Sequence, residues 1–122
     1  MPTNKETGQE GEKLAADHLK RKGYTILATN WRSLPYELDI IAQIGDEIVF
    51  VEVKTRRSTS HGYPEKAVTM KKAKNLFEAA TIYLEENDLE NEIRFDIISI
   101  TIQGSKTEIF HIEDGISPYP EF

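Results

Sequence analysis

Cysteine is absent from this chain, and so is any long apolar run. The first absence excludes disulfides, thiolate zinc sites and cysteine nucleophiles. The second excludes a membrane-spanning helix, which needs about 20 consecutive apolar residues. Histidine is scarce, and the three at positions 18, 61 and 111 lack the paired spacing of an HExxH site. A metal would therefore have to be held mainly by oxygen. The opening MPTNKETGQEGEK has no apolar signal-peptide core, so a cytoplasmic location and no membrane partner are expected. No internal repeat, low-complexity tract or linker interrupts the 122 residues, a length that suits one domain with a single core.

Basic charge is also in deficit. The formal net charge of −6 argues at first against a nucleic-acid partner. Its distribution argues differently. Residues 53–75 carry seven Lys or Arg (54, 56, 57, 66, 71, 72, 74) against Glu65 alone, whereas residues 76–122 carry eleven acids against Arg94 and Lys106. Taken alone, such a run reads as a solvated face.

Hydrophobic periodicity predicts the element order α-β-β-β-α-β-β, an α/β layer arrangement around one sheet. A helix is expected from about Gly8 to Lys22, stopped by Gly23, with residues 1–7 frayed. Strands are expected over 24–32, 36–44, 48–55, 92–102 and 106–112, with Ser33-Leu34-Pro35 and Gly45-Asp46-Glu47 as breaks. Residues 56–68 read as a loop, whose Ser58–Pro64 portion is a candidate lid, and His61 within it reads as solvated. Thr69 is a candidate cap for a helix reaching about Asn87, with Ala73, Leu76, Phe77, Ala80, Tyr83 and Leu84 on one buried face. The tail SPYPEF reads as loose.

Charges are usually kept out of strand interiors, yet YELDIIAQIGDEIVFVEVKTR (36–56) holds Glu37, Asp39, Glu52 and Lys54. Alternation along a strand puts Glu37 and Asp39 on one face and Leu38, Ile40 and Ala42 on the other. In the next strand it separates Phe50, Glu52 and Lys54 from Val49, Val51 and Val53. If the Leu/Val faces share a core, Asp39, Glu52 and Lys54 lie together opposite it. Glu12 joins Ala15, Ala16 and Leu19 on the inward face of the first helix. A carboxylate there needs a partner, and clustered acids need compensation. A lysine and a hard divalent cation, Mg²⁺ or Mn²⁺, would provide it. The basic segment would then be a phosphate-binding surface. The competing account is an exposed sheet face with solvated charges, which an antiparallel hairpin permits.

The pattern D-x12-E-x-K across a strand hairpin, led by a helical glutamate, resembles the PD-(D/E)XK nuclease superfamily, archaeal Holliday-junction resolvases in particular. More narrowly, the chain resembles the YraN-like family of small, uncharacterised bacterial proteins. The resemblance spans residues 8–116. It rests on Gly11-Glu12 with Ala15, Gly23-Tyr24, Asn30-Trp31-Arg32, Glu37-Leu38-Asp39-Ile40-Ile41-Ala42, Val49 through Arg56, Ala67-Val68, Lys72, Leu76, Ala79-Ala80, Arg94-Phe95-Asp96 and His111-Ile112. Tyr36 stands where that family has glycine. Asp114-Gly115-Ile116 stands where it tends to have Asn-Ala-Phe.

The resemblance implies a single-domain restriction-endonuclease-like fold, a central mixed sheet flanked by helices. It also implies Mg²⁺- or Mn²⁺-dependent endonucleolytic hydrolysis of phosphodiester bonds, with DNA, including branched or junction DNA, as the partner. Asp39 and Glu52 would be the main metal ligands, joined by Glu12 and the Val53 carbonyl. Lys54 would orient the attacking water and stabilise charge on phosphate. Arg56, Arg57 and Lys72 would contact phosphates, though each reads equally as a solvated charge. Glu37 would be an outer acid or surface. Symmetric cutting of a junction needs two sites, which a homodimer would supply. Arg94 and Asp96 read as a structural pair, and Trp31 and Tyr24 as core or rim. Two other classes stay open: a non-catalytic nucleic-acid-binding adaptor that keeps the fold, and a protein-interaction domain using the acidic run 85–92.

Overall fold

The computed structural model describes residues 3–57 and 70–116. Its elements are α1 (Asn4–Arg21), β1 (Thr25–Ser33), β2 (Tyr36–Ile44), β3 (Glu47–Arg57), α2 (Met70–Glu86), β4 (Ile93–Gln103) and β5 (Lys106–Ile112). The five strands form one mixed sheet in the order β1-β2-β3-β4-β5, with β3 and β4 parallel and the other neighbours antiparallel. Parallel neighbours require a crossover connection, and α2 lies within it. Among the described residues no helix is long and apolar enough to cross a membrane.

The first helix begins at Asn4, inside the stretch expected to fray. Thr3 caps it: the Thr3 hydroxyl accepts the Glu6 N–H (3.1 Å) and the Glu6 carboxylate accepts the Thr3 N–H (3.3 Å). This reciprocal pair is a capping box, written in the sequence as T-x-x-E. At the other end Gly23 takes φ of 93°, which an L-residue with a side chain resists. The expected lid Ser58–Pro64, His61, the Thr69 cap and the SPYPEF tail lie outside the described residues.

The sheet is covered on both faces, so there are two cores rather than one. Ala15 and Leu19 of α1 pack on Ile40, Ala42, Val49, Val51, Ile98, Ile100 and Ile102. Ala73, Leu76, Ala79, Ala80 and Tyr83 of α2 pack on Leu38, Ile41, Ile48, Phe50, Phe95 and Ile97. Burial on both faces explains why β4 reads as a nearly unbroken apolar run, with Phe95 to Ile102 all buried. Trp31 packs edge-on against Tyr83, and Tyr24 is buried in the α1 core, as core residues should be.

Two expectations, one about a face and one about the length of a strand, are corrected. Leu38 faces the α2 core while Ile40 and Ala42 face the α1 core, so strict alternation fails in β2 between positions 38 and 40. The change coincides with the end of β2–β3 pairing, which runs from Ile44↔Glu47 to Ile40↔Val51; beyond it the Val53 N–H donates to the Asp39 carboxylate at 2.9 Å while β2 stays paired with β1. Strand β3 also runs further than expected, because its parallel pairing with β4 continues to Arg57↔Ile102. Arg56 and Arg57 therefore belong to a strand and not to a loop.

Buried charge on the α1 face is fully organised. Asp96, with no exposure, accepts two bonds from the Arg94 guanidinium (2.8 and 2.9 Å), lies 2.7 Å from His111 Nε2 and accepts the Asp114 N–H (2.9 Å). Burial alone would raise its pKa. The hydrogen bonds from His111, Arg94 and the Asp114 amide outweigh that and hold it below the usual carboxylate value.

Helix α1 approaches β3 most closely at Gly11. A Cβ there would sit 1.8 Å from Thr55 Oγ1 and 2.7 Å from Thr55 Cβ. Gly11→Ala should destabilise the fold by about 1–3 kcal/mol from overpacking, despite alanine's better helix propensity. Thr55→Ala in the same chain should recover part of the loss. Urea denaturation of the two single variants and the double variant measures this, and strict additivity would contradict the contact.

Candidate active site

The residue after Gly11, Glu12, lies near Asp39 of β2 and Glu52 of β3. It is half-buried rather than inward; the buried stripe of α1 is Thr7, Gly11, Ala15 and Leu19. Glu12 nevertheless lines a cleft of about 630 Å³ with Asp39, Glu52, Val53, Thr55, Arg56 and Arg57. A second cleft, of about 390 Å³, opens on the other side of the same two acids, between the β1–β2 turn and α2. Its walls include Pro35, Tyr36, Glu37, Lys71, Lys72 and Leu76. Asp39 and Glu52 are the residues shared by both. This is the region where the sequence placed its unusual carboxylates. A solvated sheet face is not what surrounds them, since Glu52 is only 7% exposed.

The electrostatics follow from that burial. Asp39 is pushed up to about 7, first by removal from water, then by the neighbouring Glu52 charge, with Glu12 adding in the same direction. The Val53 N–H and the Lys72 ammonium oppose the rise without cancelling it. Glu52 is paired: its Oε1 lies 2.5 Å from Lys72 Nζ. Burial lowers the Lys72 pKa, but its bond to Glu52 and the charges of Glu52, Asp39 and Glu37 outweigh that and leave it raised.

The remaining predicted residues divide. Val53 lies in the wall of the larger cleft with its N–H committed to Asp39. Lys54 is half-buried, level with Ser99 on β4, and lines neither cleft. Arg56 Nε donates to Thr101 Oγ1 at 3.5 Å. Arg57 donates to Thr7 Oγ1 (3.0 Å) and pairs with Glu10, tying β3 to α1 while facing the larger cleft. Glu37 is exposed and pairs with Arg32 at 3.3 Å, on the rim of the smaller cleft. Residues 85–92 form the end of α2 and the turn after it, with Leu89 N–H bonded to the Leu84 carbonyl.

Sequence reasoning missed two features. Gly11 appeared as part of a motif but not as the contact that sets the height of α1. Lys72 was read as a surface phosphate contact and not as the partner of Glu52. Its signal was present: Lys72 falls at i, with Leu76, Ala79 and Tyr83 at i+4, i+7 and i+11, on the buried stripe of α2.

Among the described residues, no three Asp, Glu or His side chains are gathered closely enough to cage an ion by themselves. The donor set is still of the right kind for a hard cation. Mg²⁺ typically uses one or two carboxylates and keeps several waters, and Asp39 with Glu52 offers that number in a cleft roomy enough for water.

The family described as "Uncharacterised protein family UPF0102" matches residues 11–100. A UPF0102 protein of Syntrophomonas wolfei is 49% identical over 110 residues, covering 89% of this chain and 96% of that one. One of Phocaeicola vulgatus is 40% identical over 118 residues, covering 97% and 98%. One of Geobacter metallireducens is 46% identical over 113 residues, covering 92% and 93%.

A carboxylate raised from 3.8 in the unfolded chain to about 7 in the fold keeps its proton in the native state where the unfolded state has lost it. Stability from this group is full below the unfolded value and is lost as pH rises through about 7. Metal-free protein should therefore weaken between about pH 5 and about pH 8, by on the order of a few kcal/mol. In Asp39→Asn, which keeps an oxygen for the Val53 amide, that slope should flatten. Urea midpoints at both pH values in chelator test it, and equal slopes would contradict the assignment.

Proposed function

We propose that this chain, which belongs to the UPF0102 family, is a metal-dependent nuclease of the PD-(D/E)XK type that hydrolyses phosphodiester bonds of DNA. The observation that carries the reading is the pair of a half-buried Asp39 and a buried Glu52, mutually repelling and shared by two clefts with basic residues in their walls. Lys72 compensates one of the two charges, and a divalent cation would compensate the second when Asp39 ionises. The mixed sheet between two helices, with the acids on adjacent strands, is compatible with a restriction-endonuclease-like fold.

Asp39 and Glu52 would hold Mg²⁺ or Mn²⁺, with Glu12 reaching it directly or through water and the Val53 carbonyl as a further ligand. When bound, the ion supplies charge neutralisation at the phosphate and acidifies water. Lys54, on the same strand face as Glu52 but outside both cleft walls, would have to turn its ammonium toward the acids to orient the attacking water and stabilise charge on the phosphate. Arg56 and Lys72 stand on opposite sides of the acids, one in each cleft wall, and suit phosphates on either side of the scissile bond. Arg57 contributes positive potential while holding α1 against β3.

The net charge of −6 favours a second reading, an adaptor that binds nucleic acid without cutting it. One experiment separates the two. Asp39→Ala and Glu52→Ala should each reduce Mn²⁺-dependent cleavage of junction or duplex DNA by at least about a hundredfold while leaving the protein folded. Wild-type protein that binds DNA but never cuts it, with binding unchanged in Asp39→Ala, would replace the nuclease by the adaptor.

A further inference from the structure

Glu52 Oε1 cannot serve two cations at full strength. In the structure that oxygen is engaged by Lys72 Nζ at 2.5 Å, while Asp39 and Glu12 bring further negative charge to the same place. The lysine reaches Glu52 from the first turns of α2, on the stripe whose later members Leu76, Ala79 and Tyr83 are buried in the core. Helix packing thus aims the side chain at the acid. Yet the Lys72 side chain is 49% exposed against 8% for Glu52, so its head can leave toward solvent without any backbone movement. Lys71 lines the same cleft and has no ion pair with Glu52.

We infer that Lys72 is a resident counter-ion, one that neutralises Glu52 in the cation-free protein, is displaced when a divalent cation binds, and then takes a phosphate in the adjoining cleft. The idea rests on the nuclease reading and adds to it a coupling: loading the cation releases the ammonium that grips the polyanion. Affinity for Mn²⁺ alone is therefore held down by competition, and affinity for DNA rises once the cation is in place.

Calorimetric titration of Mn²⁺ into wild type, Lys72→Met and Lys71→Met tests this, with Lys72→Gln as a second neutral variant. Lys72→Met should bind Mn²⁺ about tenfold more tightly than wild type, the scale of one lost charge-assisted hydrogen bond. Lys71→Met should change affinity by less than about twofold, because it removes the same charge without the contact. In Ca²⁺, Lys72→Met should bind duplex DNA more weakly, with the salt dependence reduced by about one phosphate contact. Unchanged or weaker Mn²⁺ binding in Lys72→Met, an equal gain in Lys71→Met, or undiminished DNA affinity would overturn the displacement and leave the nuclease reading standing. No Mn²⁺ binding by any of the proteins would overturn both.

Discussion

A single hydrogen bond, from the Val53 amide to the Asp39 carboxylate, shapes the functional end of the sheet. That amide would otherwise continue the β2–β3 ladder. With a carboxylate on that amide, β2–β3 pairing ends at Ile40↔Val51 while β2 stays in register with β1, and both clefts meet at the two acids. Backbone donors inside a protein have to be satisfied, so Asp39 is fixed by the chain's own accounting as well as by any ligand. The same bond only partly offsets what burial and Glu52 do to its ionisation.

The sheet contains a useful contrast. Asp96 is more completely buried than Asp39, yet its pKa is lowered while that of Asp39 is raised. Asp96 has a guanidinium, an imidazole and an amide on it, and an acid so placed is structural. Asp39 has one amide on it, and two other acids raise its pKa. Depth of burial does not set the direction of the shift; the donors and charges around each acid do.

Much of this was legible before any coordinates. Period-2 and period-3.6 patterning gave all seven elements in order, with β2 and β5 at the bounds observed. The placement of acids inside strands marked Asp39 and Glu52 as unusual. What could not be read were effects between elements. Strict alternation fails between Leu38 and Ile40 where the β3 pairing ends, which the sequence pattern alone does not show. Helices flanking a mixed sheet were implied by the resemblance and not by the patterning, because the β2–β3 hairpin looks half-exposed when taken alone. Gly11 and Lys72 belong to the helices, and their importance lies in what faces them: Thr55 in one case and Glu52 in the other. The start of α1 is a different kind of miss, since T-x-x-E at 3–6 was available as a capping signal.

The divalent-cation site proposed above lies at the Asp39–Glu52 pair. Crystals soaked in Mn²⁺ and measured near the manganese absorption edge test it directly. The account predicts an anomalous peak between the Asp39 and Glu52 carboxylates, with the Lys72 ammonium withdrawn from Glu52. No peak there, with the Lys72–Glu52 pair intact, would contradict it.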